Sequence, residues 1–141
     1  SMNFLQMEVD GTTLRGTGRT YQLEHTEASV LQGADTVTLG IRPEDIEFEA
    51  VQGGDSADFE CVVDIVEPTG DANNVYLTFP DDSASEPQTL IATVSGMRHV
   101  ESGDRLAVRF PEKAVHLFDG ETGAALKSRS LDDVNAVTLS P

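Results

Sequence analysis

Val37, Leu39 and Ile41 alternate with polar or small residues, and Phe59, Cys61, Val63 and Ile65 do the same farther along. Successive side chains of an extended strand point to opposite faces, so a period of two reads as half-buried β-strands. The pattern returns in Val75, Leu77 and Phe79, in Leu90, Ala92 and Val94, in Leu106, Val108 and Phe110, and in Val115 and Leu117. Between these runs stand Gln52-Gly-Gly-Asp-Ser56, Pro68-Thr-Gly-Asp71, Pro80 to Pro87 and Ser102-Gly-Asp104, whose Gly, Pro, Asn and Asp residues suit turns. Before residue 36, Phe4 to Val9 and Tyr21 to Leu23 read as strands beside the Asp10-Gly11 and Gly16-Thr-Gly18 turns. The expectation is an all-β chain, a small antiparallel barrel with additional strands and short helical turns.

A chain of 141 residues, 38% of them hydrophobic, furnishes one core. The ordered domain is expected to span residues 1–127, followed by a tail or docking strand over 128–141, where the alternation fades. No apolar run approaches the roughly 20 residues of a membrane span, and no basic and apolar signal region opens the chain, so a soluble intracellular protein is expected.

Charge narrows the function classes. There are 25 acidic and 9 basic residues, a net charge of −16, and only two of the basic residues are lysine. Such a surface repels phosphate backbones and argues against nucleic acid as a partner. Acids interleaved with a strand pattern, rather than gathered in a tail, suit a folded protein from a high-salt cytoplasm.

Catalytic signals are lacking. Cys61, the single cysteine, lies in a strand pattern and is expected to be buried and inert. His25, His99 and His116 show neither metal-ligand spacing nor a serine elbow, and read as solvated or hydrogen-bonded structural residues. Gly16-Thr-Gly18-Arg-Thr20 lacks the lysine and spacing of a phosphate loop. Asp81, Asp82 and Glu86, or Asp119 and Glu121, lack calcium-loop spacing, so no metal and no cofactor are expected.

Leu39-Gly-Ile-Arg-Pro-Glu-Asp45 reads as a corner. Pro43 has no N–H for a ladder and restricts Arg42, so the strand through Ile41 stops there. Pro43 can then open a short helical turn, with Glu44 and Asp45 at its positive end. Arg42 has the planar fork to tie carbonyls or carboxylates across the barrel mouth.

Gly40-Ile-Arg-Pro-Glu44 resembles the signature of the C-terminal regulatory region of maltose-type ABC importer ATPase subunits. Val63-Asp-Ile-Val-Glu67 with Gly70, then Asn74-Val-Tyr-Leu77, is similar to that family's strand, turn and returning strand. Val94-Ser-Gly96, Gly103-Asp104, Val115-His-Leu-Phe-Asp119 and Thr122-Gly123 continue the likeness in order, and Met2 to Leu5 resembles the join to the ATPase domain. Pro68 and Asp71-Ala-Asn-Asn74 depart from the family's usual hairpin.

The resemblance implies a transport-associated OB (TOBE) domain, OB-like and related to molybdate-binding modules. It implies a non-catalytic regulatory and dimerisation role in the ATP-binding subunit of an importer for sugars or related solutes. The partners it implies are the N-terminal ATPase domain, a second copy of the subunit and the membrane subunits, at the cytoplasmic face of the membrane. By the same resemblance Phe118 would join the core, His116 would sit in the closing strand, and Arg42, Glu44, Glu67 and Asp119 would brace turns. A different class, a small-ligand sensor for oxyanion or sugar, is the alternative, although an oxyanion site would sit uneasily in so negative a field.

The charge generates a prediction. The melting temperature should rise steadily from about 0.1 M to about 2 M potassium chloride, as the Debye length falls from about 10 Å toward 3 Å and below. Thermal melts followed by circular dichroism check it, and a flat or falling curve would remove the high-salt reading.

Overall fold

A computed structural model describes residues 1–51, 57–80 and 87–130. The Gln52–Ser56 turn, the Asp81, Asp82 and Glu86 cluster, and residues 131–141 of the expected tail lie outside the described residues.

The strands are β1 (Asn3–Asp10), β2 (Thr13–Gly16), β3 (Arg19–Gln22), β4 (Thr36–Ile41), β5 (Glu47–Ala50), β6 (Phe59–Pro68), β7 (Ala72–Thr78), β8 (Thr89–Ser95), β9 (Arg105–Arg109), β10 (His116–Asp119) and β11 (Ala125–Lys127). Short 3₁₀ turns occupy Ala28–Leu31, Pro43–Asp45 and Glu112–Ala114. Two sheets result, both antiparallel throughout: one ordered β11-β10-β4-β1-β2-β3, the other β5-β9-β6-β7-β8. The expected all-β class is what the chain adopts.

Alternation decides which residues meet between the sheets. Leu5 and Met7 of β1, Val37, Leu39 and Ile41 of β4, Cys61 and Val63 of β6, Val75 and Leu77 of β7, and Val108 of β9 are all buried. An aromatic group ties β3 to the second sheet. Phe59 meets Phe110 at 4.9 Å and Phe79 at 5.7 Å between ring centroids, and Tyr21 lies 6.1 Å from Phe110. The Tyr21 hydroxyl, enclosed among these rings, donates to the Phe110 carbonyl at 2.8 Å, which satisfies a polar atom that burial would otherwise penalise.

Two expectations are corrected. The alternation puts Ile65 on one face with Phe59, Cys61 and Val63, but those three are buried and Ile65 is 54% exposed. The ladder between β6 and β7 slips between Val63 and Ile65, because Val63 also exchanges backbone hydrogen bonds with Gly103 and Asp104 and Asp64 becomes an extra residue. A bulge of this kind reverses the facing of everything beyond it. Phe118 is half-buried on the outer face, not in the core: its neighbour Leu117 points inward, so Phe118 points out.

The curled second sheet does not close on itself. Its edges, β5 and β8, face each other, and the Pro43–Asp45 turn packs against β8 between them. Asn3, the one buried polar residue among those described, joins the two sheets there. Its side-chain amide donates to the carbonyls of Ile41 at 3.2 Å and Ile91 at 2.9 Å, and its Oδ1 accepts the Ile91 N–H at 2.8 Å. A side chain thus stands in for a strand along the β8 edge.

Asn3→Leu keeps the volume and removes these bonds, leaving Ile91 without partners. It should cost about 2–4 kcal/mol, equivalent to a fall in melting temperature of about 5–15 °C for a domain of this size. Thermal melts at matched salt read the difference.

Candidate functional site

The corner between β4 and β5 is built as its residues dictate. Arg42 is extended (φ −77°, ψ 147°), Pro43 opens the 3₁₀ turn, and the Asp45 N–H closes it on the Arg42 carbonyl at 3.0 Å. Asp45 is then gripped by Arg129, whose Nε and Nη2 donate to its two carboxylate oxygens at 3.0 and 3.3 Å. The side chains are only 15% and 31% exposed, so this fork-to-fork pair is screened less than a surface one. The Arg42 side chain is exposed and makes no hydrogen bond or ion pair among the described residues, so the tie expected of it is made by Arg129. Glu44 is likewise exposed.

Beside the corner, the outer face of the first sheet carries an aromatic patch. Gly40 pairs with Phe4 on one side and His116 on the other. A Cβ at Gly40 would come within 3.3 Å of the Phe4 ring and 3.4 Å of the Phe118 ring, so glycine lets both lie close to the strand. Phe4 meets Phe118 edge to face at 6.4 Å, and the His116 ring lies parallel to Phe118 at 6.2 Å. Phe4 remains 49% exposed. His116 is expected to be solvated or hydrogen-bonded, yet its Nε2 is sheltered without a partner among the described residues. Burial first, then the charges of Arg42, Lys127 and Arg129, lower its pKa against the opposing pull of Asp45, which favours the neutral imidazole.

A second anchor lies where β9 leads into β10. The Glu112 carboxylate accepts the Glu24 N–H at 2.7 Å, the His25 N–H at 2.9 Å and the Thr26 hydroxyl at 2.7 Å. Burial alone would raise its pKa, but these bonds outweigh that and lower it. Lys127 Nζ donates to the carbonyls of Glu112 and Val115, each at 2.7 Å, and burial lowers its pKa.

The remaining sequence-predicted residues stand in separate turns. Glu67 accepts long bonds from Asn74 at 3.4 Å and Tyr76 at 3.5 Å, near Gly70, whose φ of 107° turns the β6–β7 hairpin. Asp104 accepts the Glu101 N–H at 2.9 Å beside Gly103, whose φ is 92°. Asp119 accepts the N–H groups of Glu121 and Thr122 at 2.8 and 3.1 Å, and Gly123, at φ 77°, donates to its carbonyl. Only Gly40, Ile41, Arg42, Pro43, Glu44, His116 and Phe118 share one region. Asn3, Glu112, Lys127 and Arg129 were missed. Asn3 alone had left a signal, as a polar residue in phase with Leu5 and Met7.

Chemically this region braces the fold. Cys61 is fully buried and its thiol pushed up to about 12 by burial, so it is no nucleophile. Among the described residues no three His, Cys, Asp or Glu side chains gather as a metal would need, and no helix is long and apolar enough to cross a membrane.

A family model described as the TOBE domain matches residues 39–118, and one described as the MalK OB fold domain matches residues 1–46. The xylose/arabinose import ATP-binding protein XacK of Haloferax volcanii is 44% identical over 137 residues, covering 97% of this chain and 35% of that protein. XacJ of the same organism, also a xylose/arabinose import ATP-binding protein, is 37% identical over 86% of this chain and 32% of its own length. The chain thus spans about a third of the length of these relatives. Among solved structures, the cytoplasmic molybdate-binding protein ModG with molybdate bound is similar at a TM-score of 0.59 and 16% identity, covering 82% of this chain and 94% of that one. That likeness supports the OB-like fold and nothing about ligands.

Glu112 generates a pH prediction. Its pKa is lower folded than unfolded, so its contribution is complete above the ordinary value of 4.5 and is lost as pH falls through the folded value. Glu112→Gln should destabilise by about 1 kcal/mol at neutral pH, a partly exposed site discounting the usual charged hydrogen bonds. Parallel melts of the two proteins should converge as pH drops below about 4.

Proposed function

Because the chain belongs to the TOBE domain family, we propose that it is the C-terminal regulatory and dimerisation domain of the ATP-binding subunit of an ABC importer for sugars or related solutes, from a halophilic organism. The observation that carries this is the match to XacK over 97% of the chain but only 35% of the relative. The chain corresponds to one piece of an import ATP-binding protein, and the OB and TOBE models together cover residues 1–118 of it. No phosphate loop stands in the sequence, so nucleotide chemistry belongs to the rest of the subunit.

The geometry supports the role. Phe4 and Phe118 form a partly exposed aromatic patch with Arg42 nearby, in a chain whose other surface is dominated by acids. Aromatic residues and arginine carry much of the energy of protein contacts. The ATPase domain of the same subunit is the partner we assign to this patch, since Met2, whose sulfur lies against Gly40, belongs to the segment resembling the join. A second copy and the membrane subunits complete the complex at the cytoplasmic face of the membrane.

Two measurements test the reading. Sedimentation equilibrium in about 2–3 M potassium chloride, where repulsion is screened over all but a few Å, should show weak self-association that lessens in dilute salt. A strictly monomeric chain up to millimolar concentration would remove autonomous dimerisation. Calorimetry with ATP in the same buffer should give no heat of binding, and saturable micromolar binding would overturn the non-catalytic assignment.

A further inference from the structure

The edges of the five-stranded sheet, β5 and β8, face each other across a cleft of about 540 Å³. Ile91 donates its N–H to Asn3, away from β7, although it pairs with Tyr76 in the ladder. In an antiparallel ladder alternate residues direct their backbone groups to the same side. Thr93 and Ser95 therefore point theirs into the cleft. The Ser95 carbonyl accepts the Arg98 N–H at 3.0 Å. The Ser95 N–H and both backbone groups of Thr93 have no protein partner among the described residues.

The opposite wall is partly occupied. Arg98 Nη2 donates to the Phe48 carbonyl, and the guanidinium lies 4.3 Å from the centre of the Phe48 ring. On the rim, Glu47 stands 3.8 Å from Arg109, whereas Glu44 and Glu49 have no ion-pair partner among the described residues. The cleft thus combines an open strand edge, an apolar residue covered by an exposed arginine and an excess of carboxylate.

We propose that this cleft receives an extended segment of a partner protein with alternating apolar and basic side chains, which pairs with the β8 edge as an added strand. An unpaired edge recognises main chain through its N–H and C=O groups, and the side-chain period of two then presents every second residue to one face. Basic residues on the outer face would meet Glu44 and Glu49, and apolar ones would lie over Phe48 once Arg98 swings aside. The inference rests on the cleft alone and does not depend on the transporter role.

The probe is the peptide acetyl-Val-Lys-Val-Lys-Val-amide, with a control in which alternate backbone amides are N-methylated. Amide hydrogen exchange is followed by NMR on the full chain at moderate salt. Millimolar probe should slow exchange at Thr93 and Ser95 by about tenfold or more, and the control should not. The double variant Glu44→Gln, Glu49→Gln changes only exposed carboxylates and should weaken probe affinity several-fold, with the loss disappearing at high salt. No protection at those two amides, or equal protection by the control, would overturn the proposal. It would equally be overturned if the amides are already protected without probe and lose that protection in a chain ending at Ser130 or on dilution, since the cleft would then belong to the chain's own end or to a second copy.

Discussion

A sheet that curls without closing leaves two rows of backbone donors and acceptors that must find partners or water, and the rest of this fold is arranged around that requirement. Asn3 meets it at one end of the gap, matching the N–H and C=O of Ile91 with the two functions of its amide. Arg98 meets it at the other by reaching the Phe48 carbonyl. The Pro43–Asp45 turn fills the space between β8 and the start of β5, and the Arg129 grip on Asp45 holds that turn in place. Corner, stitch and clamp therefore serve one end: a barrel-like sheet completed by side chains.

The same arrangement explains why so few basic residues suffice. Arg129 and Lys127 are spent on internal positions, where a fork or an ammonium satisfies several oxygen atoms at once. What remains outside is predominantly acid, in keeping with a net charge of −16. Solubility and architecture thus draw on different parts of the charged inventory.

How much of this was legible in the sequence depended on the range of the interaction. Strand runs such as Val37-Thr-Leu39 and Leu106-Ala-Val108 declare themselves because period two is local, and Pro43 stops a strand by covalent structure alone. The bulge after Val63 was not legible, because it arises from hydrogen bonds to Gly103 and Asp104, some 40 residues away in sequence. Phe118 carries the family likeness that implies a core position, but its parity with buried Leu117 turns it to the outer face. Arg42 and Arg129 are equally suited to bind Asp45 by chemistry, and only the folded chain shows that Arg129 does so. Glu112 gave no hint, since two of its partners are backbone N–H groups at Glu24 and His25, which carry no side-chain signature, and the third, the Thr26 hydroxyl, is distant in sequence.

The burial of Cys61 has a practical side. Its sulfur lies in the wall of the second sheet, between the ladders to β7 and β9, and burial keeps it in the unreactive thiol form. A thiol reagent can reach it only when that wall parts. With one cysteine in the chain, the rate of labelling becomes a clock for the opening of the barrel, free of interference from any other site and readable at any salt concentration.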